Sequence, residues 1–393
     1  MLRTIAGRSL NPRLAALLLV AVAALGVVWW QRPSPPDEAS ASLIAPLDEA
    51  PNSVGFARAT DPNGMTFPDA FGPHPDYQTE WWYYTGNVAT AEGRRFGYQF
   101  TIFRRSLRAD VAERRSDFAT QSLYMAHFAL TDVENAAFYA DERFQRDGGG
   151  AAGATATPYA AWLDDWQVRE VGEDRYQMSA ATDEVTIDFT LEATKAPVRH
   201  GDNGLSPKSN EPGNASYYYS QTRLATEGTI TVGDESFLVM GNSWKDHEYG
   251  TSSLSDRAVG WDWFSLQLSD GRELMYFQIR NEDGSLEPAS SGSLILEDGT
   301  VRPLTLDEVQ LEVLSRWQSA ASGGDYPAAW RLRIPSEAID LTIEPLIADQ
   351  ELRLSTTYWE GAVRVSGSAP GGAVSGYGYV ELTGYAGERA PSV

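Results

Sequence analysis

The stretch "TEWWYYTGN", residues 79–87, places four consecutive large aromatic residues directly after a glutamate. Successive side chains of a β-strand point to opposite faces. One face of the stretch then carries Glu80, Trp82 and Tyr84, and the other carries Trp81 and Tyr83. A strand with two aromatic faces is buried on both sides, against a core and against a second domain or element. The stretch therefore predicts a strand at an inter-domain seam or in a cavity wall.

The rest of the chain also shows sequence patterns that are typical of β-strands. Apolar and polar residues alternate in "EVTIDFTLEAT" (184–194) and in "WDWFSLQLSDGRELMYFQIRNEDG" (261–284), where "SDGR" and "NEDG" mark tight turns between neighbouring strands. No long amphipathic helix is visible in the sequence. We therefore predict an all-β protein made of antiparallel strands.

A segment with the composition of a loop divides this strand-rich sequence. Residues 200–216, "HGDNGLSPKSNEPGNAS", hold Gly, Pro and Asn at a density that stops any strand. We place the domain boundary there, with an N-terminal domain over residues 63–208 and a C-terminal domain over 209–390. Each has the size of one closed antiparallel barrel or sandwich.

The N-terminus predicts export. A basic start precedes an uninterrupted apolar run at residues 14–30, and residues 37–62 read as a Pro- and acid-rich tether. No A-x-A follows the apolar run, so residues 1–36 favour an uncleaved signal anchor, with a cleaved signal peptide as the alternative. A buried core helix is the third interpretation. We expect the folded part to lie in the cell envelope or periplasm, tethered to the cytoplasmic membrane.

Composition excludes several functions. The net charge of −23 repels phosphate backbones, so no nucleic-acid partner is expected. The chain has no cysteine, which removes disulfides and thiolate chemistry. Its 4 histidines are widely separated, without an H-E-x-x-H motif, and we expect no metal site. No G-x-S-x-G supports a serine hydrolase.

The segment "GNSWKDHEYG", residues 241–250, concentrates titratable groups. On a strand, Asp246 and Glu248 share one side and His247 takes the other. One interpretation makes them an acid–base group at a barrel mouth. The other makes them polar loop residues that cap backbone groups, and composition alone favours it.

Asp262 and Glu80 are the other candidate carboxyls. Asp262 lies in "GWDWFSLQLSDG" (260–271), on the face of the apolar Phe264, where a lone charge is expensive. It is a candidate general acid, or it pairs with an arginine or a backbone N–H. Glu80 is expected to orient Trp81 and Trp82 at the seam between domains, with a direct catalytic role as the alternative.

Together these motifs resemble the AttH/CrtC group of lipocalin-like proteins. The matching text is "HPDYQTEWWYYTGNV", "FGYQFTIFR", "MAHFALTD", "GNSWKDHEYG", "GWDWFSLQLSDGRELMYFQIR" and "GYGYVELTGY". The resemblance runs from about residue 67 to residue 385 and implies two lipocalin-like β-barrels packed together. One branch of the group hydrates acyclic carotenoids without an organic cofactor. The exported AttH-like branch, often encoded beside an ABC transporter, has no settled activity.

The resemblance also implies roles for particular residues. Asp262, or the Asp246–His247 pair, would donate a proton to an alkene, and no cofactor would be needed. The aromatic groups that would stabilise the resulting cation are Trp244, Trp261 and Tyr276. With Glu80 and Trp82, the same residues suit a binding cavity for an apolar ligand.

Three functions remain open at this point. We expect an exported, membrane-tethered protein that binds a hydrophobic or amphipathic small molecule or lipid, with ABC transporter subunits as partners. The alternative is a cofactor-free hydratase or isomerase acting on an isoprenoid or carotenoid-like alkene. The third is a structural scaffold with an aromatic seam and no ligand.

Overall fold

The computed structural model describes residues 53–110, 116, 119–251 and 254–387. The predicted signal or anchor and residues 37–52 of the tether lie outside the described residues. Among the helices in the described ranges, none has the length and apolar character needed to cross a membrane.

The described chain is all-β, as predicted, and its strands form two antiparallel sheets. The first sheet contains β1 (Thr79–Ala89), β2 (Arg95–Ser106), β3 (Ser122–Asp132), β4 (Ala137–Arg146), β5 (Ala152–Ala156), β6 (Tyr159–Leu163), β7 (Trp166–Gly172), β8 (Arg175–Ala181), β9 (Val185–Ala193), β10 (Val198–Arg199), β11 (Leu205–Pro207), β12 (Ala215–Val232) and β13 (Glu235–Gly250). The second sheet contains β14 (Ala258–Leu268), β15 (Glu273–Asn281), β16 (Ser291–Ile295), β17 (Val301–Thr305), β18 (Gln310–Gln318), β19 (Asp325–Ile334), β20 (Ile339–Pro345), β21 (Glu351–Arg353), β22 (Thr357–Ala369) and β23 (Gly372–Leu382). Short 3₁₀ turns lie at Asp69–Phe71, Gly148–Gly150, Leu306–Glu308 and Pro335–Glu337.

Each sheet curls around its own core to form a lipocalin-like barrel. The first follows the order β4-β3-β2-β1-β13-β12-β9-β8-β7-β6-β5 and is nearly closed, because β3 and β4 at one end of this order contact β6 at the other. The second follows β17-β16-β15-β14-β23-β22-β20-β19-β18 and is more open. Large side chains such as Trp82, Trp166 and Phe128 fill the first interior, and Phe264, Tyr276 and Trp330 fill the second.

The sheets divide at a different place from the predicted boundary. The first sheet continues past residues 208 and 209 through β12 and β13, and β13 pairs with every residue of β1. The change of sheet falls between Gly250 and Ala258. The Gly- and Pro-rich segment 200–216 stops a strand, as expected, but it is a loop within the first barrel.

Strand β1 separates the first core from the second barrel. Trp82 and Tyr84 are fully buried in the first barrel interior. Tyr83 points the other way and meets the ring of Trp263 on β14 edge-on, with 5.2 Å between ring centroids. The two-sided burial predicted from the aromatic alternation is therefore present, and β1 forms the inter-barrel seam.

Close contacts and ion pairs hold the two barrels together. A Cβ atom added to Gly97 on β2 would lie 2.3 Å from the Cβ of Ala362 on β22, so the backbones approach closely there. On β15, the buried Glu273 accepts Lys195 Nζ at 2.8 Å and Arg223 Nε at 2.6 Å from the first barrel. These contacts fix the positions of the two sheet faces that meet between the barrels.

Candidate functional site

A cavity of about 130 Å³ lies between the outer faces of the two barrels. We call it the inter-barrel cavity. Its walls combine aromatic and acidic side chains with a single lysine. The residues that border it are Thr79, Trp81, Tyr83, Phe103, Lys208, Ser216, Tyr218, Asp246, Glu248, Gly250, Leu254, Trp261, Trp263, Phe277, Ile279, Glu360 and Glu381.

The first wall is a row of paired residues across four strands. Trp81 on β1 lies opposite Phe103 on β2 and opposite Glu248 on β13, and Glu248 lies opposite Tyr218 on β12. Paired residues on one face of a sheet are within side-chain contact distance. The register therefore places one carboxyl between aromatic rings on this wall.

The second wall repeats this arrangement on the other barrel. Trp263 on β14 lies opposite Phe277 on β15 and opposite Glu381 on β23, and Glu381 lies opposite Glu360 on β22. Two glutamates that face each other across neighbouring strands repel when both are ionised. This wall therefore favours a proton or a cation near Glu360 and Glu381.

Asp246 is the most heavily hydrogen-bonded acid of the cavity. It accepts Tyr218 Oη at 2.7 Å, Trp244 Nε1 at 2.6 Å and the hydroxyl of Ser220. Burial raises the pKa of Asp246 to about 7, although these three donors oppose the shift. The carboxyl is therefore placed to gain or lose a proton near neutral pH.

Glu360 and Glu381 also favour their protonated forms. Burial, with the neighbouring Glu381, raises the pKa of Glu360 well above its ordinary value, and burial raises the pKa of Glu381 to about 7. Tyr83 Oη donates to Glu360 Oε2 at 2.7 Å, whereas Glu360 Oε1 has no hydrogen-bond partner among the described residues. A buried carboxyl oxygen without a hydrogen-bond partner is a position where a donor group of a ligand can bind.

Lys208 is the cation of the cavity wall. Its Nζ lies 2.5 Å from Glu248 Oε1, which also accepts the hydroxyl of Ser216. The same Nζ lies 5.4 Å from the ring centroid of Tyr218 and 4.8 Å from that of Phe277. The cavity thus already holds one ammonium group between a carboxylate and aromatic rings.

A second polar cluster lies inside the end of the first barrel, on the opposite face of β1 and β13. Glu80 accepts Arg104 Nε at 2.7 Å and lies 2.8 Å from His74 Nδ1 and 2.9 Å from His247 Nε2. Burial alone would raise the pKa of Glu80, but Arg104 and both histidines hold it well below its ordinary value. Burial lowers the pKa of His247 to about 4, against the opposing effect of Glu80.

This cluster also has a spacing that suits a metal ion. The ligand atoms of His74, Glu80 and His247 lie within 4.8 Å of one another. The Glu80 oxygens already bind both imidazoles, Arg104 and the backbone N–H of His74, which lies 3.0 Å away. We therefore interpret the cluster as an internally satisfied network that orders the barrel end, and the expected absence of a metal stays a prediction.

The predicted site residues fall into three groups. Asp246 and Trp261 border the inter-barrel cavity, and Trp244 contacts it through its bond to Asp246. The first barrel interior holds Glu80, Trp82 and His247, where His247 stacks on Trp82 at 4.9 Å. Glu80 was expected at the seam, but it lies on the other face of β1, because even-numbered side chains there point inward.

Asp262 and Tyr276 form the third group, inside the second barrel. Asp262 accepts Arg280 Nε at 3.0 Å, Gln278 Nε2 at 2.8 Å and Tyr385 Oη at 3.0 Å. This is the pairing with an arginine that the sequence left open as the alternative. Tyr276 packs in the second core. Neither side chain borders the inter-barrel cavity, because both point to the opposite face of their strands from Trp261 and Trp263.

Sequence reasoning missed two of the four carboxyls that border the cavity. Glu360 and Glu381 lie far along the chain in "YWEGAV" and "YVELTG", and neither motif resembles a catalytic signature. A signal was nevertheless present, since each carboxyl interrupts an aromatic or apolar strand at a position where a lone charge is expensive. Lys245 is likewise a charged residue within a strand that the structure buries completely. Burial lowers the pKa of Lys245 to about 7.

Two lipocalin-like barrels that share an acidic, aromatic cavity define the structural class of this protein. The AttH-like family matches residues 58–385, and the chain belongs to that family. A crystal structure of an AttH protein from Nitrosomonas europaea is 33% identical, with a TM-score of 0.73, and the match covers 84% of this chain and 100% of that one.

A second solved structure shares the fold at lower sequence identity. Kievitone hydratase from Nectria haematococca is 15% identical, with a TM-score of 0.62, over 84% of this chain and 96% of that chain. At this identity the similarity concerns the fold alone. Among proteins of curated function, none matches this chain in sequence.

Proposed function

We propose that this protein binds a hydrophobic or amphipathic small molecule in the inter-barrel cavity. The observation that carries the proposal is the cavity itself, whose walls place Trp81, Trp261, Trp263 and Phe277 around a space bordered by a few carboxyls. Ligand sites are typically concave and mostly apolar, with a small number of polar groups that fix orientation. Large side chains pack in both barrel interiors, which supports the seam as the proposed ligand site.

Binding of a small neutral amphipathic probe, 4-phenylbutan-1-ol, measured by isothermal titration calorimetry, tests this proposal. We expect saturable binding that Trp261→Ala weakens about tenfold, because truncating a buried aromatic contact removes 1 kcal/mol or more. Trp317→Ala is the matched control, since Trp317 is also half-buried on the second barrel but lies away from the cavity. No binding, or equal effects of the two substitutions, would refute the proposal.

A cofactor-free hydratase or isomerase is the second candidate function. The observation that favours it is Asp246, which borders the cavity and whose pKa burial raises to about 7. In a hydration, the Asp246 carboxyl would give its proton to an alkene carbon, and water would bond to the resulting carbocation. The proton lost by that water would return to the Asp246 carboxylate.

Deuterium incorporation tests the enzymatic candidate. An isoprenoid alkene incubated with the protein in D₂O should gain one carbon-bound deuterium, and Asp246→Asn should abolish the gain. Asp262→Asn is the comparison variant, since Asp262 lies outside the cavity. If Asp246→Asn still incorporates deuterium and Asp262→Asn does not, Asp246 is not the proton donor and Asp262 is the candidate instead.

We also propose that the protein is exported and tethered to the cytoplasmic membrane, where it serves an ABC export system. The basic start and the apolar run at residues 14–30 support the tether. Membrane fractions washed at alkaline pH should retain the full chain and release a chain that begins at residue 37. Release of both chains would contradict the tether, and copurification with transporter subunits is the expected sign of the partnership.

A further inference from the structure

Carboxyl groups outnumber basic groups on the cavity walls. The cavity is bordered by the four carboxyls of Asp246, Glu248, Glu360 and Glu381, and by one lysine, Lys208. Lys208 pairs with Glu248 at 2.5 Å. In the part of the chain that the structure describes, no ion pair involves the other three carboxyls. An apolar cavity for a purely hydrocarbon ligand gains nothing from three such groups, each of which is costly to bury.

Glu360 shows where a ligand's donor group would bind. Its side chain is fully buried, and Oε1 has no partner among the described residues. The titratable groups that face it are Tyr83 from β1, Tyr379 and Glu381 from β23, and Tyr358 from its own strand. These groups supply no positive charge. The unpartnered oxygen therefore matches a donor group that also carries positive charge.

The wall around Glu360 also suits a cation. Trp263 lies opposite Glu381 in the strand register, and its indole contacts the ring of Tyr83, which donates to Glu360. Aromatic faces attract ammonium groups, most strongly where water is excluded. Lys208 already uses this chemistry elsewhere in the same cavity, with its ammonium between Glu248 and the rings of Tyr218 and Phe277.

The volume of the cavity limits the part of the ligand that its walls can hold. A cavity of about 150 Å³ lined by apolar side chains binds benzene, and the inter-barrel cavity measures about 130 Å³. The part of the ligand inside the walls is therefore one ring or a short alkyl segment.

We propose that the ligand of the inter-barrel cavity is an amphipathic amine, whose ammonium group binds Glu360 and Glu381 and whose apolar part packs on Trp261 and Trp263. This inference rests on the proposed binding function and names its ligand class. Binding of the ammonium compensates the facing carboxylates, so they ionise and release protons to the solvent. A neutral ligand of the same shape leaves them protonated.

Isothermal titration calorimetry with three matched probes tests the amine proposal. The probes are 4-phenylbutylammonium, 4-phenylbutan-1-ol and 4-phenylbutyrate, which share an apolar part and differ in charge. We expect the ammonium to bind at least tenfold more tightly than the alcohol, and the carboxylate to bind more weakly than both. Titrations in two buffers of different ionisation enthalpy should show proton release with the ammonium and none with the alcohol.

Glu360→Gln should remove most of the preference for the ammonium while retaining binding of the alcohol, because Gln keeps the shape of the side chain. Glu344→Gln, at an exposed pair with Arg364, is the control and should change neither affinity. Equal binding of ammonium and alcohol, or a preference for the carboxylate, would overturn the amine proposal and leave the binding proposal standing. Binding of none of the three probes would overturn both.

Discussion

Replacing Asp246 by Asn tests whether the inter-barrel cavity holds a carboxyl that titrates near neutral pH. Burial raises its pKa from 3.8 to about 7, so the folded state keeps a proton that the unfolded chain loses. The resulting stability is fully present below pH 3.8 and is lost progressively as the pH rises to about 7. The difference of about three pH units, at 1.36 kcal/mol each, corresponds to a loss of about 4 kcal/mol in the free energy of unfolding.

Asp246→Asn should remove this pH dependence and leave a constant cost of about 1 kcal/mol, because the new amide group faces the donors Tyr218 and Trp244. Urea unfolding, followed by tryptophan fluorescence from pH 4 to pH 8, measures both effects. The variant should be less stable than the wild type at pH 4 and more stable at pH 8. Asp234→Asn, an exposed position in the turn of the same hairpin, is the control. Parallel pH profiles of the wild type and Asp246→Asn would refute the reasoning.

Two further predictions concern the contacts that hold the barrels together. Glu273→Gln should lower the free energy of unfolding by about 3–5 kcal/mol in urea, because Lys195 and Arg223 lose a fully buried carboxylate. A cost below about 1 kcal/mol would contradict this role. The His200 ring lies between Ser220 of β12, at 2.6 Å, and Ser293 of β16, at 2.9 Å. Burial lowers the pKa of His200 to about 3, so the stability that its neutral form contributes is present above pH 6.5 and is lost as the pH falls towards 3. His200→Gln should therefore reduce the loss of stability between pH 6.5 and pH 3 by up to about 5 kcal/mol, and an unchanged loss would contradict this assignment.

The fold was predictable because strand periodicity is a local signal. Alternation in residues 79–87 predicted that Trp82 and Tyr84 lie on the opposite face of the strand from Trp81 and Tyr83. In the structure both faces are buried. The division into two barrels was less accessible, because it depends on long-range pairing. Strand β13 pairs with β1 across more than a hundred residues of sequence, and no local pattern in residues 200–216 reports that pairing.

The candidate site was only partly predictable for the same reason. Asp246 stood out because it lies next to other titratable residues, and Trp261 because it lies in an aromatic strand. Glu360 and Glu381 become a site only through the register that places them opposite Trp263. Asp262 shows the opposite case, since its sequence context suggested a lone buried acid. The structure supplies Arg280 from the neighbouring strand, which the sequence could not locate.

Native mass spectrometry of the full chain, purified from the cells that naturally make it, shows whether a ligand occupies the inter-barrel cavity. Leu254→Trp, made in the same cells, is the matched variant, because Leu254 borders the inter-barrel cavity on a loop and the larger side chain would fill it. We predict that the wild type carries one small amphipathic molecule per chain and that Leu254→Trp carries none. An empty wild-type protein, or equal loading of both proteins, would contradict the claim that the cavity between the barrels is the ligand site.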